Sequence, residues 1–218
     1  VYQTKGAYLF FIEAQMTTTV LLVRHGQTNT NISSFYTNWF AEDLNETGYA
    51  QSRRLASRLA KLPIASVYTS PLRRAYTTAA ILAAPHKLEL KVLDDLIEIR
   101  PGDWEGLHID EIKRRWPELW QQSRIDPSDL TIPNGESFEQ VTERGVRAFR
   151  TVVGANQGRQ VLIVTHDIIV RVLVAHVLRV SNSIYRKLEV NNASLSVVRV
   201  VNGNPCLITL NDTSHLEE

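Results

Sequence analysis

The chain has 218 residues, enough to bury a substantial core and, at roughly 100–200 residues per domain, more readily one domain than two. Hydrophobic residues make up 44% and charged residues 22%, which excludes a disordered or fibrous chain. Lys plus Arg number 24 against 23 Asp plus Glu, a net charge of +1, which speaks against a generally basic nucleic-acid binder but leaves room for a local basic pocket.

The first apolar run, Ala7-Tyr8-Leu9-Phe10-Phe11-Ile12, ends at Glu13. It is too short for a bilayer span of about 20 residues and shorter than a signal-peptide core of about 7–15. Met16 is the only methionine and stands directly before the first good strand. We therefore expect residues 1–15 to be an upstream extension and residues 16–218 a single domain, the alternative being an ordinary terminal strand or helix. A cytoplasmic protein without a membrane partner is expected. Cys206 is the only cysteine, so an internal disulfide and a CxxC metal knuckle are both excluded.

Val20-Leu21-Leu22-Val23 reads as a buried strand. Residues 46–62 turn helical, with Leu55, Leu59 and Leu62 on one face and Pro63 as the stop. Residues 64–69 read as a second buried strand. Ser70-Pro71 opens a helix, serine as N-cap and proline at the first helical position, which turns Leu72, Ala75, Ala79 and Leu82 inward and ends before Pro85. Residues 88–93 alternate as a third strand. The proline-rich stretch 100–135 reads as loops with one short helix at 110–116. Ser137-Phe138-Glu139-Gln140 fits a capping box at the start of a helix running to about Val153. Val161-Leu162-Ile163-Val164 is a further buried strand, followed by an apolar helix over 168–178. Strands at 194–201 and 206–210 flank Asn202-Gly203-Asn204, a hairpin turn.

Strands alternating with helices imply an α/β protein, a three-layer sandwich around a largely parallel sheet. In such folds ligands bind beyond the C-terminal ends of the strands. The residues placed there are Arg24-His25-Gly26, Ser70-Pro71-Leu72-Arg73-Arg74, Glu98-Ile99-Arg100 and Thr165-His166-Asp167. Two histidines, several arginines and a carboxylate at one rim suit phosphoryl chemistry. Arginine's planar fork binds two phosphoryl oxygens at once. A neutral imidazole attacks phosphorus if its other nitrogen is held by an acceptor. A carboxylic acid protonates the departing alkoxide if it stays protonated near neutrality. Each residue alone has a plain alternative: a surface pair at a strand end, a solvated helix arginine, an exposed glutamate, a hydrogen-bonded core histidine. Only their joint placement points to chemistry. No GxSxG, GxGxxG or GxxxxGK[ST] motif occurs, and no arginine follows Cys206 as a cysteine phosphatase loop requires.

These segments resemble the histidine phosphatase superfamily, also called phosphoglycerate mutase-like, over about residues 19–210. The match runs through Leu22-Val23-Arg24-His25-Gly26-Gln27-Thr28 with Asn31, then Ser70-Pro71-Leu72-Arg73-Arg74-Ala75 with Thr78-Ala79, then Glu98 to Gly106, Asn134-Gly135-Glu136-Ser137, and Val164-Thr165-His166. The resemblance implies a phosphoglycerate mutase-like fold in which His25 is the nucleophile and becomes phosphohistidine. It implies that Arg24, Asn31, Arg74 and His166 cradle the phosphate, and that Glu98 protonates the leaving group and then activates water. Gln27 and Thr28 are expected to help line the pocket through side chain or backbone. No metal and no cofactor are implied. Asp167 departs from the glycine often found there, and reads first as an N-cap, alternatively as a charge that tunes His166 or selects substrates. Asp94, Asp95, Asp103 and Glu105 crowd Glu98 and would raise its pKa.

Three functions follow: a phosphatase acting on a small phosphorylated metabolite, a mutase, or a non-catalytic phosphate-binding module. Gly-Asp-Trp-Glu-Gly after Glu98 resembles phosphatase members, and the long insertion of the dedicated mutases is missing, so the phosphatase is favoured. Relatives of this kind include α-ribazole and phosphoserine phosphatases and broad-specificity enzymes. Trp39, Phe40, Trp104, Trp116 and Trp120 are candidate walls for a bulky alcohol, with core packing the alternative for at least half of them. No nucleic-acid partner is expected, and a homodimer is compatible with this reading.

Overall fold

The computed structural model describes residues 16–36, 39 and 42–217. The expectation for residues 1–15 and the wall role of Phe40 lie outside these. At the centre of the fold is a six-stranded sheet. Its middle strand, β1 (Thr17–Arg24), pairs in parallel with β6 (Gln160–Thr165) and antiparallel with β7 (Leu195–Val201). Beyond β6 lie β3 (Ile64–Thr69) and the edge strand β4 (Leu90–Val92), both parallel. Beyond β7 lies β8 (Asn204–Asp212), giving the order β4-β3-β6-β1-β7-β8. A separate pair is formed by β2 (Phe35–Tyr36) and β5 (Leu107–His108).

Period-two side chains divide the core in two. Leu21 and Val23 of β1 and Leu162 and Val164 of β6 face α1 (Glu46–Leu59) and α2 (Arg73–Ala83). Val20 and Leu22, with Val161 and Ile163, face α5 (Phe138–Ala155) and α6 (Asp167–Leu178). Helices therefore cover both faces of a mostly parallel sheet, as the continuous apolar strands imply. A smaller cluster around Trp104, Ile112, Leu130 and Ile132 is closed by α3 (Ile109–Arg115) and α4 (Pro117–Ile125).

Several boundaries differ from the sequence expectation. The first helix ends at Leu59, and Leu62 is exposed, because a residue before proline is pushed out of the helical region. The second begins at Arg73, not at Ser70: the backbone is extended at Leu72, and the Ser70 hydroxyl accepts from the Leu72 N–H without capping the helix. The third strand shrinks to Leu90–Val92 at the sheet edge. A second helix, α4, fills the stretch expected to be loop, with Pro117 in its first turn, where the missing N–H costs nothing. The capping box is present, Ser137 accepting from the Gln140 N–H and Gln140 from that of Ser137. Asn202 and Gly203 both take left-handed conformations in the β7–β8 turn, as a two-residue hairpin requires. Among the described residues no helix is long and apolar enough to cross a membrane.

Candidate active site

Register brings the distant motifs together. Arg24 pairs with Thr165, and Thr69 with Val164, so β1, β3 and β6 end at one level. His25, Ser70 and His166 leave the sheet side by side. Arg74 follows on the first turn of α2, and Glu98 after a short 3-10 turn (Asp94–Leu96) beyond β4. Arg24, His25, Asn31, Tyr36, Arg74, Glu98, Asp167, Ile168 and Tyr185 line a cleft of about 190 Å3.

His25 is buried at 3% exposure. Its Nδ1 lies 2.7 Å from the Gly26 carbonyl, an acceptor only, so Nδ1 carries the proton and Nε2 the lone pair. Arg74 Nε donates to that lone pair across 3.1 Å. Burial first, then the charges of Arg74 and Arg24, hold the imidazole's pKa well below its usual value, so the ring is neutral. The His166 ring stands edge-on to it, centroids 5.2 Å apart. His166 Nε2 meets the Ser70 hydroxyl at 2.7 Å, while its buried Nδ1 has no hydrogen-bond partner among the described residues. Burial and the neighbouring arginine Arg74 lower its pKa also. Arg24 donates through Nη1 to the Val190 carbonyl at 2.6 Å, and its buried Nε is likewise unpartnered among the described residues. An orphaned buried donor is costly, and the Arg24 Nε, on a residue that lines the cleft, fits an oxyanion; His166 is fully buried and is not among the lining residues.

Asn31 is oriented by its neighbours. Its Oδ1 accepts from the Thr28 N–H and from Asn192 Nδ2, each at 3.0 Å, which leaves its own NH2 for the cleft. Gln27 and Thr28 are not among the lining residues. The Gln27 side chain accepts from Asn45, and the Thr28 hydroxyl bonds that of Thr30. They brace the loop that carries Asn31.

Glu98 is 5% exposed. Its carboxyl accepts from the N–H groups of Ile99 (2.8 Å) and Ile168 (3.3 Å). Its carbonyl is fixed by the Trp39 indole at 2.9 Å and by Arg144. Burial raises its pKa most, and the nearby Asp167 adds to this. Asp94, Asp95, Asp103 and Glu105 are not the cause expected from sequence: Asp95 pairs with Arg147, Asp103 with Asn134, and Glu105 accepts from the Trp39 N–H. Asp167 is not an N-cap either. His166 occupies that position, and Asp167 begins the helix with its side chain in the cleft.

The aromatic walls are largely other residues than those expected. Trp104 is fully buried in the satellite core, against which Trp116 packs. Trp120 lines an adjoining cavity of about 160 Å3 that shares Tyr36, Ile168 and Tyr185 with the cleft. Tyr36 and Tyr185 are the true walls. The Tyr36 hydroxyl is pushed up to about 12, by burial and then by Glu98. Their only sequence signal was two isolated tyrosines in short irregular segments. Among the described residues no cluster of three or more His, Cys, Asp or Glu is disposed to hold a metal ion.

Known proteins carry the same arrangement of chain. A bifunctional protein of Mycobacterium tuberculosis is 36% identical over 201 residues, covering 91% of this chain and 55% of that protein, so the chain spans about half the length of this relative. Phosphoserine phosphatase 1 of Hydrogenobacter thermophilus is 32% identical over 200 residues, covering 91% of this chain and 94% of the relative. The solved structure of Bacillus stearothermophilus YhfR superposes with a TM-score of 0.88 at 30% identity, covering 92% of this chain and all of that one. Residues 20–213 match the sequence profile of the histidine phosphatase superfamily, branch 1, and the chain belongs to that superfamily.

Proposed function

We propose that the protein is a phosphomonoesterase that works through a phosphohistidine at His25. The observation that carries this reading is a neutral imidazole whose Nδ1 is tied to the Gly26 carbonyl and whose Nε2 lone pair meets Arg74 in a cleft lined by Arg24, Arg74 and Asn31, with the His166 ring buried edge-on behind it. The guanidinium groups of Arg24 and Arg74, including the orphaned Arg24 Nε, neutralise the peripheral phosphoryl oxygens. Arg74 exchanges its contact with Nε2 for one with the phosphate. Nε2 then bonds to phosphorus, the ester P–O bond breaks, and Glu98 gives its proton to the leaving oxygen. Water attacks the phosphohistidine next, its proton passing to the Glu98 carboxylate as the P–N bond breaks. In this cycle arginine cations neutralise the phosphoryl charge and Glu98 moves the proton, so it is proposed as one that runs without a metal.

The name of the Hydrogenobacter relative supports hydrolysis over phosphoryl return to a second hydroxyl. The adjoining cavity of about 160 Å3, walled by Ile99, Leu130, Ile132, Phe138 and Trp120, supports an ester whose alcohol carries one ring-sized apolar or sugar-like group. The test is turnover of a panel of phosphorylated metabolites, with rapid acid-free quenching and mass spectrometry of the trapped protein. We expect an alkali-stable phosphate on His25, and loss of turnover by on the order of 10^4-fold or more in His25→Ala. A label on another side chain overturns the reading.

A further inference from the structure

Asp167 directly follows the second histidine of the site and lies in the cleft with the proton donor. Its Oδ1 accepts from Arg171 Nε at 2.9 Å and its Oδ2 from the Tyr185 hydroxyl at 3.2 Å. Arg24 Nη1 stands 3.7 Å from Oδ1. Arg171 is itself fixed, bonding the carbonyls of Tyr185 and Leu188 and lying over the Tyr185 ring. The carboxylate therefore has a dedicated cation and cannot swing away.

Glu98 has none. Its carboxyl is held by two peptide N–H groups, one of them from Ile168, the residue next to Asp167. The charged and titratable groups sharing the cleft with it are Asp167 from α6, Arg74 from α2, Arg24 and His25 from the end of β1, and the Tyr36 and Tyr185 hydroxyls. Arg144, from α5, reaches its carbonyl instead. Two carboxyl groups in one small cleft do not both ionise cheaply. Asp167 is the one with its own cation, Arg171, and Glu98 is the one that burial and Asp167 push up.

We propose that Asp167 is a positioning residue for the proton donor: locked by Arg171 and Tyr185, its carboxylate holds Arg24 at the cup wall and keeps the proton on Glu98. The role serves both half-reactions of the proposed phosphatase cycle, on which this inference rests. A protonated Glu98 is ready for the leaving oxygen, and its carboxylate is afterwards a stronger base towards water. The fixed negative charge beside Arg24 also weakens the hold on the phosphate dianion that must leave.

The experiment compares wild type with Asp167→Asn, which removes the charge, and with Asp167→Gly, which removes the side chain. Two readouts are taken: the pH profile of kcat/KM for an alkyl phosphate and for 4-nitrophenyl phosphate, and NMR titration of 13C-labelled Glu98, assigned by Glu98→Gln. We expect the alkaline limb for the alkyl ester to move to lower pH in both variants and the 4-nitrophenyl limb to stay, since a good leaving group needs no proton. Glu98 should titrate at lower pH by NMR, and inorganic phosphate should inhibit several-fold more tightly. Unchanged titration of Glu98 in both variants overturns the role of Asp167 whatever the activity, as does an equal shift for both esters. Wild type that turns over neither ester overturns the phosphatase reading instead, while the NMR titration still decides whether Asp167 holds the proton on Glu98.

Discussion

At the scale of single residues, one physical cause prepares both partners of the reaction. Burial disfavours charge, so it lowers the His25 imidazolium and raises the Glu98 carboxyl. A deprotonated nucleophile and a protonated acid thus coexist at one pH. Replacing Glu98 by Gln should slow hydrolysis of an alkyl phosphate by about 10^2–10^4-fold and that of 4-nitrophenyl phosphate far less; equal slowing of the two esters, measured as kcat/KM, would speak against Glu98 as the acid. The same group has a stability signature. Because its folded pKa is raised, its stabilising contribution is complete at acid pH and is lost as pH rises through the folded value. Glu98→Gln should therefore melt higher than wild type in mildly alkaline buffer, the gap closing below the ordinary carboxylate range. Much of this site is legible in the sequence because Arg24, His25, Arg74 and His166 lie at or just beyond the ends of strands that apolar runs mark clearly, while Glu98 follows a weaker, alternating one. Tyr36 and Tyr185 are not, since one sits on a two-residue strand and the other in a 3-10 segment (Asn182–Lys187), where no periodicity exists. Asp167 was noticed, and its partner Arg171 stands at i+4 on the same helix, a spacing that the sequence carries, whereas Tyr185 reaches it only in the fold.

At the scale of elements, the cleft depends on how closely the first helix approaches the loop after β1. A Cβ at Gly26 would lie 2.6 Å from the Gly48 carbonyl oxygen, and one at Gly48 only 2.1 Å from that of Gln27. Two glycines therefore let backbone touch backbone, and Asn45 ties the same loop through its amide contact with Gln27. Gly48→Ala has no flexible side chain to push aside. It should destabilise by about 1–3 kcal/mol as an overpacked contact and, by displacing the segment that carries Asn31, raise KM for phosphomonoesters; urea unfolding and steady-state kinetics read the two effects. An alanine variant with unchanged stability and KM would mean that this contact does not set the loop. The sequence pattern finds these helices but misplaces some of their ends. Leu62 completes an apolar stripe that Pro63 forbids the chain to continue, and Ser70 looks like a cap because a serine before proline usually is one. Here its hydroxyl is turned instead to His166 and the Leu72 N–H. The missed helix α4 shows the converse: proline reads as a breaker, yet at the first helical position it is a start.

At the scale of the whole molecule, the cup is a property of strand order. With β1 at the middle, β6 and β3 on one side and β7 on the other, segments far apart in sequence meet beyond one sheet edge. The turn before β7 closes the back of the site: Ala193 N–H reaches the carbonyls of Arg24 and His25, Asn192 reaches that of His25, and the Val190 carbonyl takes Arg24. None of this backing was legible in the sequence, because Asn-Asn-Ala before a strand carries only a turn signal. An oxyanion in the cup would thus join parts of the chain that come together only when the sheet is formed, and an unfolded chain has no such site. Ligands of that kind raise stability by mass action. Vanadate or inorganic phosphate at about 100 times its dissociation constant should add about 2.7 kcal/mol, which for a domain of this size raises Tm by roughly 5–10 °C. Arg74→Met should abolish most of the gain, because the guanidinium both borders His25 Nε2 and lines the cleft. An equal Tm increase in that variant, followed by scanning calorimetry across a concentration series, would place the anion elsewhere on the protein and remove the cup's claim to bind phosphate.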